Sequence, residues 1–236
     1  MLTFAPVSFK TVNIQLNQMR VIIYFKTEET IIPFNHQHLL TGVIHKWLGN
    51  NDLHGNISLY SFSRLEGAKN ERDGLKFNRL GSFFFSAHNP DVVKLLIKGI
   101  FKDKTMFLGM EVEEISVVKD PDFTKSFYFN VGSPILIKRY TDTNVKHYVY
   151  TDEHADEFLK ETLLTKMKLA ELEDDTLEVH FDRNYSKSST KLVDYNGIKN
   201  RASWCPIIIT GKHETLLFAW NVGLGSSTGI GFGAVR

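Results

Sequence analysis

Histidines are concentrated near the start of the sequence, and two of them could share acid–base chemistry. Four of the nine histidines fall within residues 36–54: His36, His38, His45 and His54. In a helix, His38 and His45 would lie on one face, about 150° from the centre of the apolar stripe. We therefore expect His45 to be exposed or to line a site, with the loop that carries His54 folded back beside it. Two imidazoles at one point can divide the roles of base and acid near neutral pH.

Two other interpretations of the histidines stay open. They could bind zinc, or they could be surface residues with no role. The sequence has no H-E-x-x-H motif and no cysteine near them, and Asp52 is the only nearby carboxylate before Glu66. We therefore expect no metal site and no other cofactor.

A glycine-rich segment ends the sequence, and its backbone could bind an anion. Serial N–H groups in such a loop form a concavity that suits phosphate. The spacing matches neither the dinucleotide-binding fingerprint nor a P-loop, and only three residues follow the last glycine. The alternative is a flexible tail, but apolar residues are interleaved throughout. The glycines are Gly223, Gly225, Gly229, Gly231 and Gly233.

Basic residues cluster locally, although the net charge of the chain is only +1. Tyrosines are interleaved with two of these clusters. Basic side chains for phosphates and aromatic rings for bases are typical of RNA binding. Charged hairpins that are simply solvated are the alternative. The candidate RNA-binding residues are Lys138, Arg139, Lys187, Lys191 and Arg201.

The first half of the chain shows the pattern βαββαβ. Strands are predicted over residues 20–27, 57–65, 81–87 and 106–118, with a polar loop over 67–74. Helices are predicted over residues 35–49, with Asn35 as N-cap and Gly49 after the last turn, and from Pro90 to residue 101. This order is the signature of a ferredoxin-like domain.

The pattern recurs in the second half. Strands are predicted over residues 127–140, 145–150, 177–181, 202–210 and 231–236, and helices over 152–170 and 213–224. The sequence therefore predicts an α+β protein with two tandem ferredoxin-like domains. We expect residues 1–18 to be an extension dispensable to the fold, residues 19–122 the first domain and residues 123–236 the second.

Composition narrows the class of protein. The chain has 236 residues and is 42% apolar, which suffices for buried cores. Its single cysteine, Cys205, fits a reducing cytoplasm and is expected to be buried. No apolar run is as long as a membrane helix requires, and residues 1–18 lack a secretory signal pattern. We expect a cytoplasmic protein.

Four segments together resemble the CRISPR-associated endoribonucleases that cut precursor CRISPR RNA within its repeats, part of the repeat-associated RNA-binding superfamily. The resemblance spans residues 19–236. The segments are residues 33–37 with 42–45, residues 52–55 with 60–63, residues 133–135 with the basic pair at 138 and 139, and residues 223–233.

The resemblance implies two ferredoxin-like domains and RNA cleavage without a metal, by attack of a ribose 2′-OH on the adjacent phosphorus. His45 stands in place of a tyrosine that some members use, and His54 in place of their loop histidine. No lysine follows His54 at the family's spacing, so Lys46 is our candidate for the stabilising cation. His38 and Arg64 are alternatives. The glycine loop and the basic residues would hold the RNA.

Two rival hypotheses remain. One is a non-cleaving RNA-binding subunit of a CRISPR complex on the same fold, and the other is an unrelated ferredoxin-like protein for which the four matches are coincidence. The expected partner is CRISPR repeat RNA. Other CRISPR-associated proteins and a second copy of the chain are further candidate partners, and no membrane partner is expected.

Overall fold

The computed structural model describes residues 4–6, 19–27, 30–49, 57–140 and 144–236. These residues form a mixed α and β structure. The helices are α1 (Gln37–Leu48), α2 (Pro90–Lys102), α3 (Ala155–Leu169) and α4 (His213–Val222). The strands are β1 (Phe4–Pro6), β2 (Arg20–Lys26), β3 (Tyr60–Phe62), β4 (Glu66–Glu71), β5 (Gly74–Ala87), β6 (Glu111–Val118), β7 (Ser126–Phe129), β8 (Ile137–Tyr140), β9 (Val145–Tyr148), β10 (Glu178–Phe181), β11 (Ser189–Tyr195), β12 (Ile198–Trp204) and β13 (Ile207–Thr210).

The chain divides into two compact units. The first contains residues 1–56 and 63–120, and the second contains residues 57–62 and 121–236. In the described part of the chain, no helix has the length and apolar character needed to cross a membrane.

An antiparallel sheet organises the first unit. Its central strand β2 pairs with β5 on one side and with β6 on the other. The inward side chains of these strands, such as Ile23 and Phe85, are fully buried. Helices α1 and α2 approach closely because Gly99 of α2 has no side chain, and a Cβ there would lie 2.6 Å from the Cα atom of Trp47 in α1. This contact fixes α1, which carries His45, against α2.

Three features of the first unit differ from the sequence predictions. The polar stretch predicted as a loop forms a hairpin from β4 and the start of β5, and β4 is mostly exposed and therefore lacks the apolar alternation that indicates a strand. The N-cap of α1 is His36 rather than Asn35, whereas Gly49 does end this helix, with φ of +71°. Strand β1 pairs with β6 through residues 4–6. The dispensability of residues 1–18 stays a prediction.

The second unit repeats the alternation of strands and helices. Strand β13 pairs with β10 and with β7, and both pairings are antiparallel. The chain end lies beside the residues that follow β7, because Asn130 and Arg236 exchange two backbone hydrogen bonds of 2.7 and 2.8 Å. Helices α3 and α4 contribute Leu159, Leu163 and Leu216 to a large apolar core.

The strand boundaries of this unit are less regular than the sequence predicts. The single strand predicted over residues 127–140 is two strands, β7 and β8, and the one predicted over 202–210 is split at Pro206 into β12 and β13. Residues 231–236 form one isolated bridge rather than a strand. The prediction missed the β11–β12 hairpin, whose two-residue turn has positive φ at Asn196 and Gly197.

Candidate functional site

Helix α1 presents His45 and Lys46 on its less buried side. Its apolar stripe, which includes Ile44 and Trp47, packs into the first unit and fixes the rotation of the helix. His45 is half-buried, in agreement with the expectation that it lies outside the core. His54 falls within residues 50–56, which lie outside the described residues, as does Asp52.

The side chain of Lys46 is held by the residues that follow α2. Its ammonium donates to the Asp103 carboxylate at 2.8 Å and to the Thr105 backbone oxygen at 2.6 Å. The hydrogen bond from Lys46, followed by two from Thr105, keeps the pKa of Asp103 well below its ordinary value. The Thr105 hydroxyl is a third acceptor at 3.2 Å, and the Lys46 side chain as a whole is 40% exposed.

The other early histidines have different surroundings. His36 is buried, its Nδ1 atom lies 2.8 Å from the Pro33 oxygen, and its ring stacks on Phe107. Burial lowers the pKa of His36, so the ring is neutral at physiological pH and acts as a packing residue. His38 is half-buried on α1. Within the described ranges, no three histidine, cysteine, aspartate or glutamate side chains come together as metal ligands.

The glycine-rich segment is folded tightly into the second unit, so the interpretation as a flexible tail is wrong. Residues 223–225, 228, 229 and 231–235 are buried. A Cβ on Gly223 would lie 2.6 Å from the Gly233 oxygen, and one on Gly225 would lie 2.5 Å from the Leu136 oxygen. A Cβ on Gly233 would overlap the oxygen of Leu224. These glycines therefore allow backbone segments to pack against one another.

Several amides of this segment donate within the protein. The N–H groups of Leu224, Ser226 and Gly233 donate to backbone oxygens at 2.7 to 2.8 Å. The half-buried residues of the segment are Ser226, Ser227 and Ile230. Contact between the glycine loop and RNA stays a prediction, and these three residues are the accessible part of the loop.

The predicted RNA-binding side chains differ in how free they are. Arg139 is engaged within the unit, because its guanidinium contacts Glu161 at 2.6 Å and lies 4.3 Å from the centre of the Phe158 ring. Lys138 is half-buried, and burial lowers the pKa of its ammonium. Lys187, Lys191 and Arg201 are exposed.

The two hairpin cations lie on opposite faces of their ribbon. Lys191 of β11 pairs with Ala202 of β12, and the next pair along is Leu192 with Arg201. Because side chains alternate between faces along a strand, a single RNA strand on one face would meet only one of the two cations.

The sequence predictions missed Lys166 of α3, which is only 3% exposed. Its ammonium donates to the backbone oxygens of Val222 and Gly223 at 3.3 and 3.2 Å, and to the Thr228 hydroxyl at 3.2 Å. The signal in the sequence was a lysine at an apolar position of the helical pattern, between Leu163 and Met167.

Burial lowers the pKa of Lys166 to about 7 from the ordinary 10.5. Between these values the unfolded chain binds more protons at this residue than the folded chain, so the free energy of unfolding should rise with pH. The slope is at most about 1.4 kcal/mol per pH unit. Urea unfolding from pH 7 to 10 should show this rise in the native chain relative to Lys166→Met. A difference between the two chains that does not change with pH would contradict the assignment.

A family model for the C-terminal part of the CRISPR-associated protein Cas6 matches residues 118–236, half of the sequence. The chain belongs to the Cas6 family. A CRISPR-associated endoribonuclease Cas6 from Methanocaldococcus jannaschii is 23% identical over 235 residues, covering 92% of each chain. The Cas6 endoribonuclease of Pyrococcus furiosus is 24% identical over 226 residues, covering 87% of this chain and 83% of that protein.

A solved Cas6-related structure from P. furiosus has the same fold. Its TM-score is 0.80 at 22% identity, and the match covers 93% of this chain and 98% of the other. The predicted α+β fold of two tandem ferredoxin-like domains is thereby confirmed. The names of the curated Cas6 relatives confirm the predicted enzyme class, an endoribonuclease.

Proposed function

We propose that this Cas6 protein cleaves CRISPR repeat RNA in precursor transcripts and so produces mature guide RNAs. Membership of a family whose curated relatives are named CRISPR-associated endoribonucleases supports this function. The observation that carries it to particular residues is the half-buried His45 on α1, a helix whose opposite side is anchored in the first unit.

The proposed reaction needs two proton transfers and no redox step. One of His45 and His54 accepts the proton of the ribose 2′-OH, and the 2′-oxygen attacks the adjacent phosphorus. The bond from phosphorus to the 5′-oxygen breaks, and the other histidine protonates that oxygen. The products are a 2′,3′-cyclic phosphate and a 5′-OH. Two imidazoles suffice for these transfers, which supports a reaction without a metal.

Lys46 is our proposal for the cation that offsets the negative charge of the phosphorane. Lys46→Met should lower the single-turnover cleavage rate about 100-fold, since one preorganised donor to a developing oxyanion has an effect of this size. Asp103→Asn is the matched control, because it removes the ion pair but keeps the ammonium, and it should cut at nearly the native rate. Equal, small effects of both changes would mean that Lys46 has only a structural role, and His38 or Arg64 would then be the candidate for the stabilising cation.

Lys138 and the exposed cations are proposed to contact RNA phosphates. Lys138→Ala should weaken RNA binding and reduce the slope of log Kd against log salt concentration by about 1, because one fewer counterion is released. Lys212→Ala, which removes a cation outside the predicted set, is the control. Titrations with a non-cleavable repeat RNA at several salt concentrations measure both slopes, and an unchanged slope for Lys138→Ala would remove it from the interface.

A non-cleaving RNA-binding subunit is the alternative function. The observation that favours it is the pairing of Lys46 with Asp103, which compensates part of the charge that catalysis would use. Tight binding of repeat RNA without any cleavage would establish this alternative. Assembly with other CRISPR-associated proteins, pairing with a second copy of the chain and a cytoplasmic location stay predictions from the sequence.

A further inference from the structure

The buried Lys166 links the start of the glycine-rich loop, at residues 222 and 223, to Thr228 farther along the same loop. The Lys166 ammonium contacts Val222 and Gly223 at the end of α4, and Thr228 at the start of the 3₁₀ turn Thr228–Ile230. Burying an ammonium is costly unless it is hydrogen-bonded, so a lysine on the buried face of a helix requires these acceptors. The last carbonyls of α4 carry the negative end of the helix dipole and suit a cation.

The same loop contacts the chain segment that leads into β3. The Thr228 hydroxyl, which accepts from Lys166, lies 3.4 Å from the Ser58 backbone oxygen, to which it donates. The Tyr60 hydroxyl donates to the Gly229 oxygen at 3.4 Å, and burial raises its pKa, so it stays protonated. The Ser61 hydroxyl donates to the Asn221 backbone oxygen at 3.0 Å.

Gly229 makes this contact close. A Cβ at that position would overlap the Ser58 hydroxyl and would lie 2.8 Å from the Ser58 Cβ atom. The glycine therefore lets the loop pack directly on the side chains of Ser58 and Tyr60. Ser58 follows His54 by only four positions in the sequence. The loop thus holds the chain immediately after the residue that we propose as half of the acid–base pair.

We propose that Lys166 is a positioning residue for RNA cleavage, which acts through Thr228 and the glycine-rich loop to fix residues 58–61, the stretch that begins four positions after His54 in the sequence. This proposal rests on the proposed function. It gives the loop a role in placing the reacting groups, in addition to any contact with RNA. Loss of the Lys166 contacts should therefore lower the cleavage rate without changing the affinity for RNA.

The test compares Lys166→Met with Lys168→Met in the full chain. Methionine keeps most of the volume of lysine but removes the donor, and Lys168 is an exposed lysine of the same helix. Single-turnover cleavage of repeat RNA at saturating protein should fall about 10- to 100-fold in Lys166→Met, the size of effect that small misplacement of reacting groups produces. Its Kd for RNA with a 2′-deoxy nucleotide at the cut site should be unchanged, and Lys168→Met should match the native chain in both quantities.

A second pair of variants keeps the test valid if Lys166→Met does not fold. Thr228→Val removes the hydroxyl with little change in shape and should lower the cleavage rate without changing Kd, whereas Thr228→Ser keeps the hydroxyl and should restore the rate. Native rates in both Lys166→Met and Thr228→Val, or losses of affinity as large as the losses of rate, would overturn the proposal. Absence of cleavage by the native chain would instead overturn the proposed function.

Discussion

His45→Ala should reduce the single-turnover cleavage rate of repeat RNA by about 100- to 10,000-fold, the usual contribution of a general acid or base. Alanine is the best helix former, and His45 lies outside the apolar stripe of α1, so the fold should be retained. The affinity for non-cleavable RNA should change little, because a group that moves a proton in the transition state contributes little to ground-state binding.

The control for His45 is His154→Ala. His154 precedes α3, its side chain is 59% exposed, and it lies 3.3 Å from Glu157. Its replacement should leave both the rate and the affinity at native values. If His45→Ala cuts at the native rate, His45 is not part of the acid–base pair. If it loses affinity and rate in parallel, His45 binds RNA rather than transferring a proton.

Gly233→Ala should lower the free energy of unfolding by about 2–5 kcal/mol, a large effect for the addition of a single methyl group. Gly233 has φ of +68°, and a Cβ would overlap the backbone oxygen of Leu224. The Gly233 N–H also donates to the Pro134 oxygen at 2.8 Å, so the backbone cannot move away without losing that bond. The strain of the left-handed backbone conformation and the steric overlap with Leu224 therefore both lower the free energy of unfolding.

Gly197→Ala separates these two causes. Gly197 has a similar φ of +80°, but nothing lies within 4 Å of its added Cβ. This variant should lose only about 1–2 kcal/mol, the cost of a left-handed conformation. Urea unfolding of the two variants and the native chain measures the difference. Equal losses at both positions would mean that the glycine-rich loop is not held by close backbone packing.

The sequence predicted those elements whose pattern is local. The apolar stripe of α1 and Pro90 at the start of α2 predicted both helices to within two residues at each end. The cap of α2, which was not predicted, is Asn89, whose side chain accepts from the Asp91 N–H at 2.8 Å. The sequence predicted one strand where the structure has β7 and β8, and one where it has β12 and β13. The breaks lie before Ile135 and at Pro206, and pairing with distant residues rather than local composition determines where each strand ends.

The candidate site was less predictable because its contacts join distant parts of the chain. Thr228 and Ser58 are 170 positions apart, and Lys166 and Thr228 are 62 positions apart. The position of Lys166 in the apolar pattern of α3 indicates burial, but the sequence does not show which distant acceptors would compensate a buried ammonium. The glycine pattern indicated an anion-binding loop, whereas the structure shows that close backbone packing accounts for Gly223, Gly225 and Gly233.

Cleavage of repeat RNA by the purified chain in the presence of EDTA tests the central claim most directly. The RNA should be a repeat from the locus that encodes the chain, labelled at each end in turn so that both new termini are mapped. We predict a single internal cut that leaves a 2′,3′-cyclic phosphate and a 5′-OH. Binding without a cut, a cut that EDTA abolishes, or products with a 3′-OH and a 5′-phosphate would contradict the proposed mechanism.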